Sequence, residues 1–125
     1  MRIPAEYHPI MPYLILKDAQ GFLDFAKAVF GATEQLIVPG DAERSIMHGE
    51  IRLGDGIVMF AQAGQWQEKP AGMFVYVENL DQVYKNAQNH NAIILVEPRT
   101  EDYGYTAGFE DPFGNQWWIT QAEKE

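Results

Sequence analysis

The sequence predicts an α+β domain of two β-α-β-β-β repeats, forming a curved mixed sheet with a concave groove and with the helices on the convex face. Three observations predict it. The order strand, turn, helix, strand occurs in "PYLILKDAQGFLDFAKAVFGATEQLIV" and again in "MFVYVENLDQVYKNAQNHNAIILVEP". Each segment is followed by two strand-like runs around a glycine turn, "SIMHGEIRLGDGIVMFAQ" and "YTAGFEDPFGNQWWITQ". The two units lie about sixty residues apart, and a unit with one helix cannot cover both faces of its own sheet.

In the first repeat, residues 13–16 are a short apolar run and Asp18 is placed to cap a helix. Phe22, Phe25, Ala26, Val29 and Phe30 keep the helical spacing, and Gly31 ends it in a left-handed conformation. Segment 46–53 alternates, so Met47, Gly49, Ile51 and Leu53 read as core while His48, Glu50 and Arg52 share the other face. Gly54-Asp55-Gly56 signals a hairpin into a strand whose inner set is Ile57, Met59 and Ala61. "AGQWQEKPAG", residues 63–72, is polar and reads as a connecting loop.

In the second repeat, residues 73–77 form the strand and Asn79 the cap. Leu80, Val83, Tyr84 and Ala87 make the apolar helix face, and Asn91 stops the helix. Leu95 to Pro98 close the next strand, and Pro112 with Gly114 makes the last turn. Trp117 and Trp118 are neighbours on the final strand and must face opposite ways, so one of them can fill the core and the other has a different role. The halves span about 10–62 and 72–121 within a single domain, 1–125.

Composition narrows the function. Nine Lys and Arg against eighteen Asp and Glu give a net charge of −9, which repels phosphate backbones and anionic lipid. Neither nucleic acid nor a membrane is an expected partner. The chain has no cysteine, which suits a reducing cytoplasm. Pro4, Glu6, His8 and Pro9 interrupt the N-terminal stretch where a signal peptide needs an apolar run. The expected location is cytoplasmic.

"PYLILKDAQGFLDFAKAVFGA", "IMHGEIRLGDGIVMF", "FVYVENLDQV" and "DPFGNQWWI" together resemble the vicinal oxygen chelate superfamily. This group includes glyoxalases, extradiol dioxygenases and bleomycin-resistance proteins, and the likeness is to its bacterial glyoxalase-like members. The resemblance implies the fold far more specifically than the activity. Enzymes of the group typically hold one divalent metal with a His or Glu from each of four strands. The resemblance places those positions on Met11, Met59, Gly72 and Trp118. Methionine is a weak ligand for such ions, and glycine and tryptophan side chains offer no usable donor. The implied metal set is therefore lost, and no cofactor is expected.

Strand alternation then nominates the groove lining. Tyr13, His48, Glu50, Met59, Phe74, Tyr76, Tyr103, Tyr105 and Trp118 are the candidate ligand-binding residues, with His48 and Glu50 also the candidate catalytic pair. The plainer readings are core filling for Met11 and Met59, a solvated face for His48 and Glu50, and loop packing for Tyr103 and Tyr105. Trp66 reads as a groove lid or, by its polar surroundings, as a disordered or dimer-contact residue. His8 and His90 read as exposed, and Asp111 as a support for the Asp-Pro turn.

An aromatic-lined groove in an acidic protein suits a small aromatic or cationic molecule. The leading expectation is thus a metal-free small-molecule-binding protein. Bleomycin-resistance proteins bind in grooves formed by two chains, so the resemblance implies a homodimer. The alternative is a lyase, isomerase or dioxygenase-like enzyme using a non-standard metal or a His48/Glu50 acid–base site. A vestigial groove in a structural or regulatory protein is the third possibility.

Overall fold

The computed structural model describes residues 1–42 and 44–124. Its elements run β1 (Tyr13–Leu16), α1 (Ala19–Phe30), β2 (Thr33–Pro39), β3 (Ile46–Leu53) and β4 (Gly56–Gln62) in the first repeat. The second repeat contains β5 (Gly72–Val77), α2 (Leu80–Asn89), β6 (Ile93–Glu101), β7 (Gly104–Glu110) and β8 (Gln116–Gln121). The α+β class and the β-α-β-β-β repeats follow the sequence expectation. Hydrogen bonding assigns the strands to two mixed four-stranded sheets, ordered β1-β4-β3-β2 and β5-β8-β7-β6. Within each, the first strand runs parallel to the last and the other pairings are antiparallel.

The chain groups into two compact units, which follow the repeats except at the end of α1. One comprises Met1–Lys27 and Gly31–Pro70; the other comprises Ala28–Phe30 and the chain from Ala71 onwards.

In the first unit, Leu14, Leu16, Ile51 and Phe60 are buried with Phe22, Leu23 and Ala26 of α1. The Phe22 and Phe60 rings lie 5.1 Å apart. Asp18 accepts from the Gly21 N–H at 2.8 Å, capping the helix, and Gly31 closes it at φ 70°. Gln62 at the end of β4 adds a second tie, accepting from the Ala19 N–H and donating to the Lys17 carbonyl.

The second unit repeats these devices. Asn79 accepts from the Gln82 N–H, and Gln121 at the end of β8 accepts from the Leu80 N–H. Asn91, at φ 69°, follows the end of α2. Trp117 is fully buried beside Phe109, with the Phe30 ring 4.5 Å away. Its position is fixed by Asp111, a buried carboxylate that accepts four hydrogen bonds, from the Phe113 and Asn115 N–H groups, the Asn115 amide and Trp117 Nε1. Asp111 thus supports the Asp-Pro turn, as its sequence context predicts, and also orients a core tryptophan.

The alternation of β3 holds from His48 onwards and breaks before it. Pairing passes from Val38–His48 to Pro39–Ile46, so Met47 is skipped by the ladder. Ile46 takes the buried position, and Met47 is 41% exposed rather than core. One extra residue at a register shift moves every side chain before it to the other face.

Candidate functional site

Cross-strand partners project to the same side of a sheet, so the register identifies which residues share the face opposite each helix. In the first unit, Tyr13, Met59, Glu50 and Leu36 form one row across all four strands. In the second, the equivalent row is Phe74, Trp118, Gly108 and Val96. The strand positions derived for Tyr13, Glu50, Met59, Phe74 and Trp118 are therefore together, row by row, within each repeat.

Around Glu50 the first row becomes a hydrogen-bonded cluster. The carboxylate is only 3% exposed and both its oxygens are engaged. Oε1 accepts from the Tyr7 hydroxyl at 2.6 Å, and Oε2 lies 2.8 Å from His48 Nε2. A carboxylate accepts, so Nε2 carries the proton and Nδ1 is directed elsewhere. Nδ1 is 3.4 Å from the Tyr13 hydroxyl, and the two rings meet edge to face at 5.5 Å. The Tyr7 hydroxyl titrates above its ordinary value, mainly because it donates to Glu50, with burial and the Glu50 charge adding to the effect. Chemically, the cluster is a buried carboxylate orienting an imidazole beside a phenol.

The second unit is aromatic where the first is polar. Trp118 lies flat over Gly108, where a Cβ would come within 2.4 Å of the indole. Phe74 and Tyr76 are exposed and meet edge to face at 5.4 Å. Tyr76 also lines a cleft of about 390 Å³ with Tyr103, Gly104, Gln121, Ala122 and Glu123. Tyr105 is separate from this face. Its hydroxyl donates to Asp81 in the first turn of α2 at 2.6 Å, which raises its pKa above the ordinary tyrosine value.

A larger cleft, about 530 Å³, opens in the first unit. Tyr13, Ile15, Ala61 and Met47 form its sheet side, and Trp66, Lys69 and Arg44 its rim. The connecting loop is not a free tether here. Lys69 pairs with Ile15 through both backbone groups, at 2.8 and 3.3 Å, and so lies along the edge of β1. That pairing brings Trp66 and Lys69 to the cleft. Tyr7, Arg44 and Lys69 carry no sequence pattern that marks them, since each meets its neighbours through contacts distant along the chain. Trp66 had a signal, an aromatic residue in a polar connector.

The four positions that the family resemblance assigns to metal donors carry no side chain suited to a hard divalent ion. Met11, Met59 and Trp118 are half-buried and Gly72 is exposed, so the set offers at best thioether sulfur. Glu50, across from Met59, has both oxygens in hydrogen bonds. Among the described residues, no group of three or more His, Cys, Asp or Glu converges as a metal site would require.

Comparison with known proteins agrees with this architecture. The profile of the glyoxalase/bleomycin resistance protein/dioxygenase superfamily matches residues 7–119, and the chain belongs to that family. An uncharacterized protein of Mycobacterium bovis, Mb0911c, is 25% identical over 93% of this chain and 84% of its own. Among solved structures, TioX from Micromonospora sp. ML1 superimposes with a TM-score of 0.74 at 21% identity, covering 95% of this chain and 98% of TioX. TnmS3 from Streptomyces sp. CB03234, an antibiotic binding protein, gives 0.70 at 16% identity, covering 98% and 99%. At these identities the structural likeness is one of fold. No helix among the described residues is long and apolar enough to cross a membrane.

Proposed function

We propose that the chain is a metal-free small-molecule-binding protein of the glyoxalase/bleomycin-resistance type, taking an aromatic ligand against the sheet faces turned away from the helices. One feature supports the reading: methionine, glycine and tryptophan stand at the positions that the resemblance assigns to metal donors, beside exposed or half-buried aromatic rings. The ligand-facing set is Tyr13, His48, Glu50 and Met59 in the first unit and Phe74, Tyr76 and Trp118 in the second. Tyr103 joins Tyr76 at the smaller cleft. Tyr105, held by Asp81, supports β7 instead. The first-unit cleft is the main site, because it is the larger of the two clefts and is lined mostly by apolar and aromatic side chains and their stems. Antibiotic binding by TnmS3 is consistent with such a role on this fold. Exposed apolar Phe74, Tyr76, Ile93 and Leu95 support a homodimer, which sedimentation equilibrium would measure.

The test is elemental analysis after incubation with zinc, nickel, manganese and iron and exhaustive dialysis, paired with calorimetric titration of aromatic compounds. The expected result is negligible metal, and a loss of about 1–3 kcal/mol of affinity in Tyr13→Ala. One tightly held metal per chain overturns the reading. Unchanged affinity in Trp118→Ala removes that ring from the ligand-facing set.

The hydrogen-bonded cluster favours a second reading, an acid–base enzyme. Glu50 holds His48 so that Nδ1 faces outward beside Tyr13, the geometry a general base needs. It predicts a substrate-dependent proton exchange that His48→Gln abolishes.

A further inference from the structure

We infer that the first-unit cleft takes an anionic aromatic compound, a polycyclic carboxylic acid, rather than the cation that the net charge favours. This rests on the binding reading above and specifies its ligand class. The chain holds only nine Lys and Arg against eighteen carboxylates, yet two of the nine line this cleft and, among the described residues, no Asp or Glu does. Three of the other seven Lys and Arg are ion-paired, Lys27 with Glu34, Arg52 with Glu6, and Arg99 with Glu101. Arg44 and Lys69 make no ion pair among the described residues. Two unpaired cations at the rim of one cleft, on an acidic protein, make a local field opposite in sign to the whole.

The Arg44 stem and the Lys69 backbone are also held in place. The Arg44 stem lies over Gly64, where a Cβ would come within 2.8 Å of Cδ. Its N–H donates to Asp41, and Gly40 receives the Arg44 carbonyl so closely that no side chain fits there. Lys69 is fixed by its two backbone bonds to β1. Beside these charges the cleft supplies ring faces and apolar surface, from Trp66, which is 64% exposed, and from Tyr13, Ile15 and Met47. A planar guanidinium matches a carboxylate fork, and flat rings stack on indole and phenol faces. Gln62, also on the wall, is occupied by its bonds to Ala19 and Lys17 and leaves recognition to the cations.

The experiment is calorimetric titration with three probes that share one ring system: naphthalenecarboxylate, naphthalenemethanol and naphthalenemethylamine. On the unaltered protein the carboxylate is expected to bind about tenfold tighter than the alcohol, with the amine weakest. In Arg44→Gln/Lys69→Gln the carboxylate falls to the affinity of the alcohol and that preference disappears. In Trp66→Ala, carboxylate and alcohol weaken together. Added salt narrows the gap between carboxylate and alcohol only while the two cations are present. An alcohol that binds as well as the carboxylate, or an amine that binds better, overturns the anion inference and leaves the binding reading standing. Failure of all three probes to bind overturns both.

Discussion

The two repeats share a backbone plan and differ on one face. Register aligns Tyr13 with Phe74, Met59 with Trp118, and Glu50 with Gly108. Where the sheet meets the helix, the repeats use the same parts: an Asp18 or Asn79 cap, and a terminal Gln62 or Gln121 tied to the helix's first N–H. On the opposite face, the first repeat places a buried carboxylate with His48, Tyr7 and Tyr13. The second leaves a glycine and lays Trp118 across it. Symmetry persists where it holds each helix to its sheet and is lost on the opposite face. The fold does not require either version of that face, so its residues are free to serve recognition.

Paired substitutions can break or sharpen this contrast. The largest effect is expected at the turns before the last strands. Asp111 is buried with four donors, so Asp111→Ala should cost on the order of 3 kcal/mol or more by stranding the Asn115 amide and the Trp117 indole N–H. Asp55, in the corresponding turn, is exposed, and Asp55→Ala should stay within about 0.5 kcal/mol. Urea denaturation of both variants measures the difference, and equal losses would mean the turns are equivalent after all.

The two glycines beneath aromatic rings come next. A Cβ on Gly49 would meet the Phe60 ring at 2.4 Å, as one on Gly108 would meet Trp118. Phe60 is fully buried and has nowhere to go, whereas Trp118 is half-buried and can swing outward. Gly49→Ala is expected to cost about 1–3 kcal/mol by overpacking, and Gly108→Ala less than about 1 kcal/mol. Thermal melts would show it; a larger loss at Gly108 would mean that Trp118 is as fixed as a core residue.

The smallest effects concern two tyrosines, each donating to a carboxylate. The Tyr7 and Tyr105 hydroxyls both titrate above the ordinary 10.0, chiefly because of hydrogen bonds to Glu50 and Asp81. A raised folded-state value means the bond stabilises fully below the unfolded value and is lost as pH rises through the folded one. Tyr7→Phe and Tyr105→Phe should therefore lower the urea midpoint at neutral pH, and the difference from the parent should shrink above pH 10. Tyr7→Phe is expected to be the greater loss, since its partner is buried. A constant difference across the alkaline range would exclude the carboxylate bonds as its source.

Features set by neighbours in the chain were legible in the sequence. Asp18, Asn79, Gly31 and the Gly54-Asp55 turn act where local conformational preference places them. The opposed facing of Trp117 and Trp118 follows from strand geometry alone. Met47 was misplaced because a ladder irregularity, invisible to alternation, turns it outward. Tyr105 points away from the expected face and donates to Asp81, a partner 24 residues away. The cleft was the least legible part. It depends on Lys69 returning to the edge of β1 and on Arg44 settling over Gly64, and neither contact leaves a periodic trace.

Adjacent tryptophans on β8, with Trp66 apart from both, give the protein three indoles in three surroundings. Trp117 is sealed and hydrogen-bonded to a carboxylate, Trp118 is partly covered, and Trp66 is mostly in water. Their intrinsic fluorescence should therefore separate into a blue component from the core and a red one from the cleft rim. Unfolding should shift the first toward the red, and a ligand covering Trp66 should shift the second toward the blue. Folding and occupancy would be distinguishable by colour in a single cuvette, with no attached label.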